Sequence, residues 1–355
     1  MKTVLVTGAM GTVGNYVVSL AETAGYRVIV SDLERRGLRA PVRGEIRAAD
    51  IRDPSVLPAL VKGCDAVIHT AAQLSVSADA AELAKTNSDA VAALYEAAAA
   101  AGASRFVHVS TATMYESPSR GPLKEDHPLA PRGPYGLSKH GAEAFLRGRD
   151  RGRGPAFTIL RAAPIYGRRG RHFAASMLAY APLQALFSPV VYRPTGGPLG
   201  TMVHAEDVAR AALFVLSRED TAYETYNVSD GDVMTLGDRL GTTIDAYGLK
   251  SVSVGSLSPE VWHFFGTFFG REGVHRMSDA SAVALWKLVA KRHDLKLALR
   301  PHLDREAMSL LYDDLVVDSG KLRALGWSPR YARFAEAWAD VLKWYQAERW
   351  VPRYE

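Results

Sequence analysis

The stretch that settles the fold class is Thr7-Gly8-Ala9-Met10-Gly11-Thr12-Val13-Gly14. An apolar, β-branched run over Thr3–Thr7 leads into it, and a helical pattern over Val13–Ala24 follows. Gly8 permits a tight turn, Gly11 lets backbone approach a pyrophosphate, and Gly14 lets the helix pack close to the strand. A helix start turns free N–H groups and a positive dipole end toward phosphates. Met10, Thr12 and Val13 therefore join the glycines as candidate cofactor contacts. Asp32 closes the next run, Arg27–Ser31, where a carboxylate accepts from both ribose hydroxyls and repels a 2′-phosphate. That favours NAD over NADP. Arg35 and Arg36 pull the other way, and a strand-end cap is the second reading of Asp32.

Working outward, Ala66–Thr70, Phe106–Ser110 and Phe157–Arg161 are further short apolar runs of the kind buried in parallel sheets. Helical stretches such as Asp89–Ala101 separate them. This alternation predicts an α/β fold, a Rossmann-type doubly wound parallel sheet with right-handed crossovers. After Gly167 the pattern breaks into Gly, Pro and Arg. It returns at Met202–Leu216 and Thr225–Val228, then turns mainly helical from Met234. We expect an NAD-binding domain over 1–167, rejoined by 201–233. A smaller, mainly helical substrate lobe is expected from 168–200 and 234–345.

The 355 residues carry a formal charge of only +5, with both signs mixed along the chain, so no nucleic-acid tract is present. Arg168, Arg169, Arg171 and His172 form one local cluster, read either as a solvated loop or as an anion contact. A single cysteine, Cys64, excludes an intrachain disulfide and suits a reducing cytoplasm. The N-terminus runs straight into a strand pattern without the features of a signal peptide. The uncharged stretch Phe173–Tyr192 is broken by Pro182 and Pro189 and reads as a lobe segment or one lying on a membrane surface. No spacing of His, Cys, Asp and Glu suggests a metal site.

Taken in order, the motifs resemble those of the extended short-chain dehydrogenases/reductases, the NAD-dependent epimerase/dehydratase superfamily. Thr7–Gly14 is similar to TGxxGxxG. Asp50-Ile51-Arg52-Asp53 resembles the acid step near the adenine, and His69-Thr70-Ala71-Ala72 the H-x-A-A behind strand four. Asn87 falls at the family's helix asparagine. Ser110-Thr111-Ala112-Thr113-Met114-Tyr115 resembles S-[ST]-x-x-[VM]-Y, and Tyr135-Gly136-Leu137-Ser138-Lys139 is Y-x-x-x-K. Leu160-Arg161 through Pro164-Ile165-Tyr166-Gly167 resembles the segment beside the nicotinamide. Val203–Val208 and Tyr226-Asn227-Val228 resemble later signatures. The resemblance implies a cofactor set that includes Asp50, Ile51, Thr70, Ala71, Ala72, Asn87, Ser110, Pro164 and Ile165. It also implies catalytic roles for Thr111, Tyr135 and Lys139.

A spacing of four puts Tyr135 and Lys139 on one helix face. A free phenol titrates near pH 10 and is a poor base at neutrality. A neighbouring ammonium stabilises its phenolate, so that Tyr135 can exchange a proton with an alcohol or carbonyl. Thr111 would hold the substrate oxygen, and Lys139 the ribose hydroxyls. Strand alternation sends Ser110 the other way. His69, His108 and His204 sit in strand-like contexts and read as structural.

Ala112 and Thr113 stand where the family's dehydratases carry an Asp-Glu pair, which argues against β-elimination. Nucleotide-sugar members usually show an Asn soon after Y-G and an Arg just before the equivalent of Val203-His204. Neither is present here. Ser258–Leu299 holds Trp262, Phe264, Phe265, Phe268, Phe269 and Trp286, followed by Arg300-Pro301-His302-Leu303-Asp304-Arg305-Glu306-Ala307. This region is similar to the 3β-hydroxysteroid dehydrogenase branch. Its aromatics read either as the lining of a lipid-sized pocket or as core. The leading expectation is an NAD-dependent oxidoreductase for a hydrophobic secondary alcohol or ketone. A nucleotide-sugar 4-epimerase is the alternative, and a non-catalytic NAD-binding regulator the third reading. Family members pair through the helices holding Asn87 and Tyr135, so a homodimer is expected. The Ala-rich Ala90–Ala101 fits that packing or simple burial.

Overall fold

The protein is described by a computed structural model covering residues 2–33, 43–74, 79–116, 121–171, 173–296, 299, 301 and 305–354. Arg35, Arg36, His172, Arg300 and the 302–304 stretch lie outside the described residues. The strands are β1 (Thr3–Thr7), β2 (Arg27–Ser31), β3 (Glu45–Ile46), β4 (Ala66–His69), β5 (Arg105–Thr111), β6 (Ala156–Ala162), β7 (Ile165–Tyr166), β8 (Val191–Thr195), β9 (Leu199–Gly200), β10 (Val203–His204), β11 (Glu224–Val228), β12 (Met234–Thr235) and β13 (Ser251–Ser256). The helices are α1 (Gly14–Thr23), α2 (Leu57–Val61), α3 (Ala80–Ala84), α4 (Ala90–Ala100), α5 (Gly133–Arg147), α6 (Phe173–Gln184), α7 (Ala205–Leu216), α8 (Leu236–Tyr247), α9 (Pro259–Phe269), α10 (Glu272–Arg292), α11 (Gly320–Ala324) and α12 (Phe334–Ala347).

Seven strands form one parallel sheet in the order β11-β6-β5-β4-β1-β2-β3. The chain leaves β1 toward β2 and β3, then returns to β4 on the other side. The switch point therefore falls between β1 and β4, where ligands bind outside the carboxyl ends of such sheets. Val4 and Val6 face one layer with Val17 and Val208. Leu5, Ile29 and Val67 face the other with Leu94 and Leu146. Burial on both faces explains why these strands read as continuous apolar runs.

A third cluster fills the lobe, joining Met177 and Leu178 of α6, Ile244 of α8, Trp286 of α10 and Trp338 of α12. Leu315, Val317, Leu322 and Trp327 fall within the 234–345 stretch, yet they pack with the sheet's cluster. Two further departures from the sequence reading are local. β13 pairs in parallel with β8 although this region reads as helical. Every residue of Ser251–Ser256 is exposed, so no buried face marks it as a strand. The α4 helix is preceded by a π-helical turn over Lys85–Asp89, which carries Asn87 inward. No helix among the described residues is long and apolar enough to cross a membrane.

Candidate active site

The glycine turn is built as its spacing requires. Gly8 takes φ +67°, and a Cβ there would stand 2.5 Å from the Ala71 nitrogen. A Cβ on Gly14 would collide with the Gly8 carbonyl. Thr70 Oγ1 donates to Thr7 O at 2.8 Å, tying β4 to the turn. No side chain caps the start of α1, where Asn15 N donates to Gly11 O at 3.2 Å and Tyr16 N to Val13 O at 3.0 Å. Asp32 accepts from Met10 N at 2.9 Å through one oxygen and from Leu33 N at 2.8 Å through the other. It is thus a strand-end cap, and each oxygen keeps a second lone pair with which it could accept from a ribose hydroxyl. These features fit a dinucleotide.

Other members of the expected cofactor set are committed elsewhere. Asp50 is gripped by Arg52 Nη2 at 2.6 Å, which holds its carboxyl below the usual range. The Ile51 side chain packs in the core with Leu57 and Leu60, so only its backbone remains to meet adenine. Asn87 accepts from Gln73 N at 2.8 Å and donates to Gln73 O and to Ser138 Oγ. Its amide fastens the loop after Ala72 to the helix α5.

On α5, Pro134 sits in the first turn, where its missing N–H costs nothing. Tyr135 follows, partly exposed, and Lys139 lies one turn on and buried. Lys139 Nζ donates to Val109 O at 2.7 Å and stands 3.4 Å from His108 Nε2. Burial lowers its ammonium to about 8, partly opposed by the charge of Glu143. Thr111 ends β5 two residues beyond Val109, its Oγ1 2.9 Å from Thr113 Oγ1. The Ser110 hydroxyl is buried without a partner. Lys139, one turn after Tyr135 on α5, thus reaches β5 two residues before Thr111.

Behind them, Glu143 and Arg161 form a buried ion pair at 2.7 Å. Arg161 also donates to the Tyr115 hydroxyl at 3.0 Å, and that hydroxyl donates to Asn227 Oδ1 at 2.7 Å. Arg161, part of the Leu160-Arg161 signature, therefore braces α5 against β6.

Beyond Pro164 lies a small cavity of about 30 Å³, lined by Phe173, Leu199, Thr201, Met202, Leu236 and Arg239 among others. Asp313 also lines it and pairs with Arg132, just ahead of α5, at 3.0 Å. The aromatics of α9 do not line this cavity. Phe264 is 60% exposed and Phe265 42%, while Trp286 is core. The lobe's aromatic richness goes to its surface and its core, and the lining is mainly aliphatic. The arginine cluster is likewise engaged: Arg168 pairs with Asp340 at 2.7 Å, and Arg171 lies over the Trp350 ring.

Two site residues escape the sequence reading. His108 touches Lys139, and its signal is a polar residue inside a buried strand, in register with His69. Arg239 lies on the buried stripe of α8 with Leu236, Thr243 and Ile244. A cation on a helix's apolar face is the mark that would find it.

A family model described as "NAD dependent epimerase/dehydratase family" matches residues 4–229. The chain is 29% identical over 245 residues to a putative UDP-glucose 4-epimerase of Methanocaldococcus jannaschii, covering 64% of this chain and 77% of that protein. It is 26% identical over 373 residues to a dTDP-glucose 4,6-dehydratase of Streptomyces niveus, covering 98% and 95%. Among solved structures, a UDP-glucose 4-epimerase of Thermotoga maritima with UDP-glucose superposes with a TM-score of 0.71 at 22% identity, covering 97% of this chain and 99% of that one.

Proposed function

We propose, from the premise that the chain belongs to the NAD dependent epimerase/dehydratase family, that it is a nucleotide-sugar 4-epimerase. Bound NAD supplies the hydride acceptor for this chemistry. Tyr135 takes the proton of the sugar hydroxyl and returns it after the ring has turned its other face. Lys139 presents a positive charge that favours the phenolate, and Thr111 holds the sugar oxygen. Ala112 and Thr113 supply no acid–base pair for elimination of water, which favours epimerisation over dehydration.

Arg239 carries the choice of substrate class. It is 5% exposed and lines the cavity. Its donors go only to carbonyls, with Nη2 on Gly200 O at 2.5 Å and Nη1 on Met234 O at 3.2 Å. Its Nε has no partner, and no carboxylate among the described residues lies within ion-pair distance. Only the more distant carboxylates of Asp230, Asp232 and Asp238 oppose its charge, and burying a guanidinium without a direct partner is costly, so an anionic ligand would complete it. Asp230 nearby is pushed up to about 7 by burial, so at neutrality it carries only part of a charge. A Cβ on Gly200 would stand 3.5 Å from Nη1. The cation thus reaches, from α8, the Pro198–Met202 stretch where the sequence itself offers no arginine. A nucleotide diphosphate is the ligand that suits it, as the names of the relatives also suggest.

The aliphatic lining, with Leu199, Met202, Leu236, Leu310 and Leu315, favours the second reading: an oxidoreductase for a hydrophobic alcohol or ketone. The NAD-loaded protein incubated with UDP-glucose or dTDP-glucose separates them. We expect the C4 epimer by NMR with no net NADH, and loss of that turnover in Arg239→Leu. Net NADH from hydrophobic secondary alcohols, with no sugar converted, would establish the second reading, and a 4-keto-6-deoxy sugar would make the enzyme a dehydratase.

A further inference from the structure

Across three neighbouring strands, Thr7, His69 and His108 stand in register. His69 Nδ1 lies 2.7 Å from Thr7 Oγ1, and the two imidazoles stack at 5.5 Å with only 13° between their planes. His108 Nε2 then meets Lys139 Nζ at 3.4 Å. All four side chains are buried. Among the described residues, His108 Nδ1 and His69 Nε2 have no partner of their own. Nothing in the hydride-transfer chemistry uses these imidazoles, and unpartnered buried nitrogens are costly.

We propose that His108 is a positioning residue for Lys139, accepting one ammonium N–H so that the remaining donor is aimed at the cleft. The proposal rests on the reading of Lys139 as the partner of Tyr135. An ammonium has three donors and no acceptor. Val109 O takes one donor at 2.7 Å, and a carbonyl alone leaves the group free to swing about that axis. A second acceptor fixes the tripod. His108 must accept at Nε2 and so carries its own proton on Nδ1, in the neutral form. The stack behind it keeps the ring from turning, and Thr7 fixes His69, which ties this row to the cofactor turn. The charged or titratable groups around the row are His69 on β4, and Lys139 and Glu143 on α5. Neutral His108 is the only acceptor among them that leaves the charge of Lys139 undiminished toward Tyr135.

The test uses the NAD-loaded protein and needs no substrate. The ultraviolet difference between wild type and Tyr135→Phe, followed against pH, isolates the ionisation of Tyr135. In His108→Leu that step should move upward by about one pH unit, the scale of one lost hydrogen bond to a charged group, with NAD affinity changed less than about threefold. His108→Gln, which restores an acceptor near the place of Nε2, should bring the step back. A step unmoved in His108→Leu overturns the role of His108 alone. A wild-type curve with no Tyr135 step below the ordinary phenol range overturns the catalytic reading and this role with it. Should the Leu variant not fold, imidazole 15N spectra of the unsubstituted protein decide the matter. A His108 protonated on Nε2 rather than Nδ1 would sink the proposal.

Discussion

Replacing His69 with phenylalanine should exchange stability at neutral pH for stability in acid. Burial, helped by the charge of Lys139, pushes the His69 imidazole down to about 3. In the unfolded chain a histidine titrates near 6.5. The folded value lies below the unfolded one, so between those pH values only the unfolded chain takes up this proton. Stability therefore falls as pH falls through that window, by about 1.4 kcal/mol per unit, reaching about 2.7 kcal/mol at pH 4.5. Phenylalanine removes this penalty and fills similar space beside Phe106, whose ring stacks on His69 at 6.2 Å. It also strands the buried Thr7 hydroxyl, bonded to His69 at 2.7 Å, at a cost of about 1 kcal/mol at every pH. The variant should be about 1 kcal/mol less stable near pH 7.5 and roughly 1.7 kcal/mol more stable near pH 4.5, with the curves crossing near pH 6. Urea unfolding by circular dichroism at constant ionic strength measures this. Taking the difference between the two proteins cancels carboxylates such as Asp50, which titrate in both. Parallel curves over that range would refute the neutral, dry environment assigned to His69.

Two further outcomes follow from the site. Glu143→Leu leaves the Arg161 charge buried and should cost about 3–5 kcal/mol in urea unfolding, most of it regained when Arg161→Met is added; a cost that the second substitution does not relieve would count against this pair as the brace of α5. Gly14→Ala drives a Cβ into the Gly8 carbonyl and should weaken NAD binding by about tenfold or more while the fold persists, as read by titration calorimetry; an unchanged affinity would contradict the tight turn.

The parts of this site that sequence displays are those whose geometry is local. Thr7–Gly14 declares a strand, a turn and a helix within eight residues, and the four-residue step from Tyr135 to Lys139 fixes a shared face. Asp32 is legible because it ends a strand. What stays hidden depends on residues far apart in the chain. Arg239 meets Gly200 across 39 positions, Lys139 meets His108 across 31, and Arg132 meets Asp313 across 181. Each is an ordinary charged or polar residue until the fold supplies its neighbour. The phenylalanines of α9 mislead for a related reason. Apolar content marks a residue as able to be buried, but which side of the lobe it faces is set by packing. Gly266 shows the packed side, since a Cβ there would strike the Tyr312 ring. Phe264, two residues earlier on the helix, turns outward.

The helix α5 is fastened to the body at three points within six residues. Ser138 holds Asn87, Lys139 holds Val109 and His108, and Glu143 holds Arg161. The anchors reach separate parts of the fold: the π-turn before α4, then β5, then β6. Their directions differ, so together they fix the position of α5 along its axis and its rotation about that axis. The chemistry proposed for Tyr135 would require such control, because small displacements of a proton donor are costly to rate. The lobe is joined to α5 by a different kind of contact. Asp313 meets Arg132 at the helix start, where the arginine side chain is 55% exposed. With the arginine half exposed, breaking this pair should cost about 1 kcal/mol, less than removing one partner of the buried Glu143–Arg161 pair. The helix bearing Tyr135 therefore moves with the parallel sheet. Substitutions in α8 that alter Arg239 should change which ligand is held without moving the proton donor.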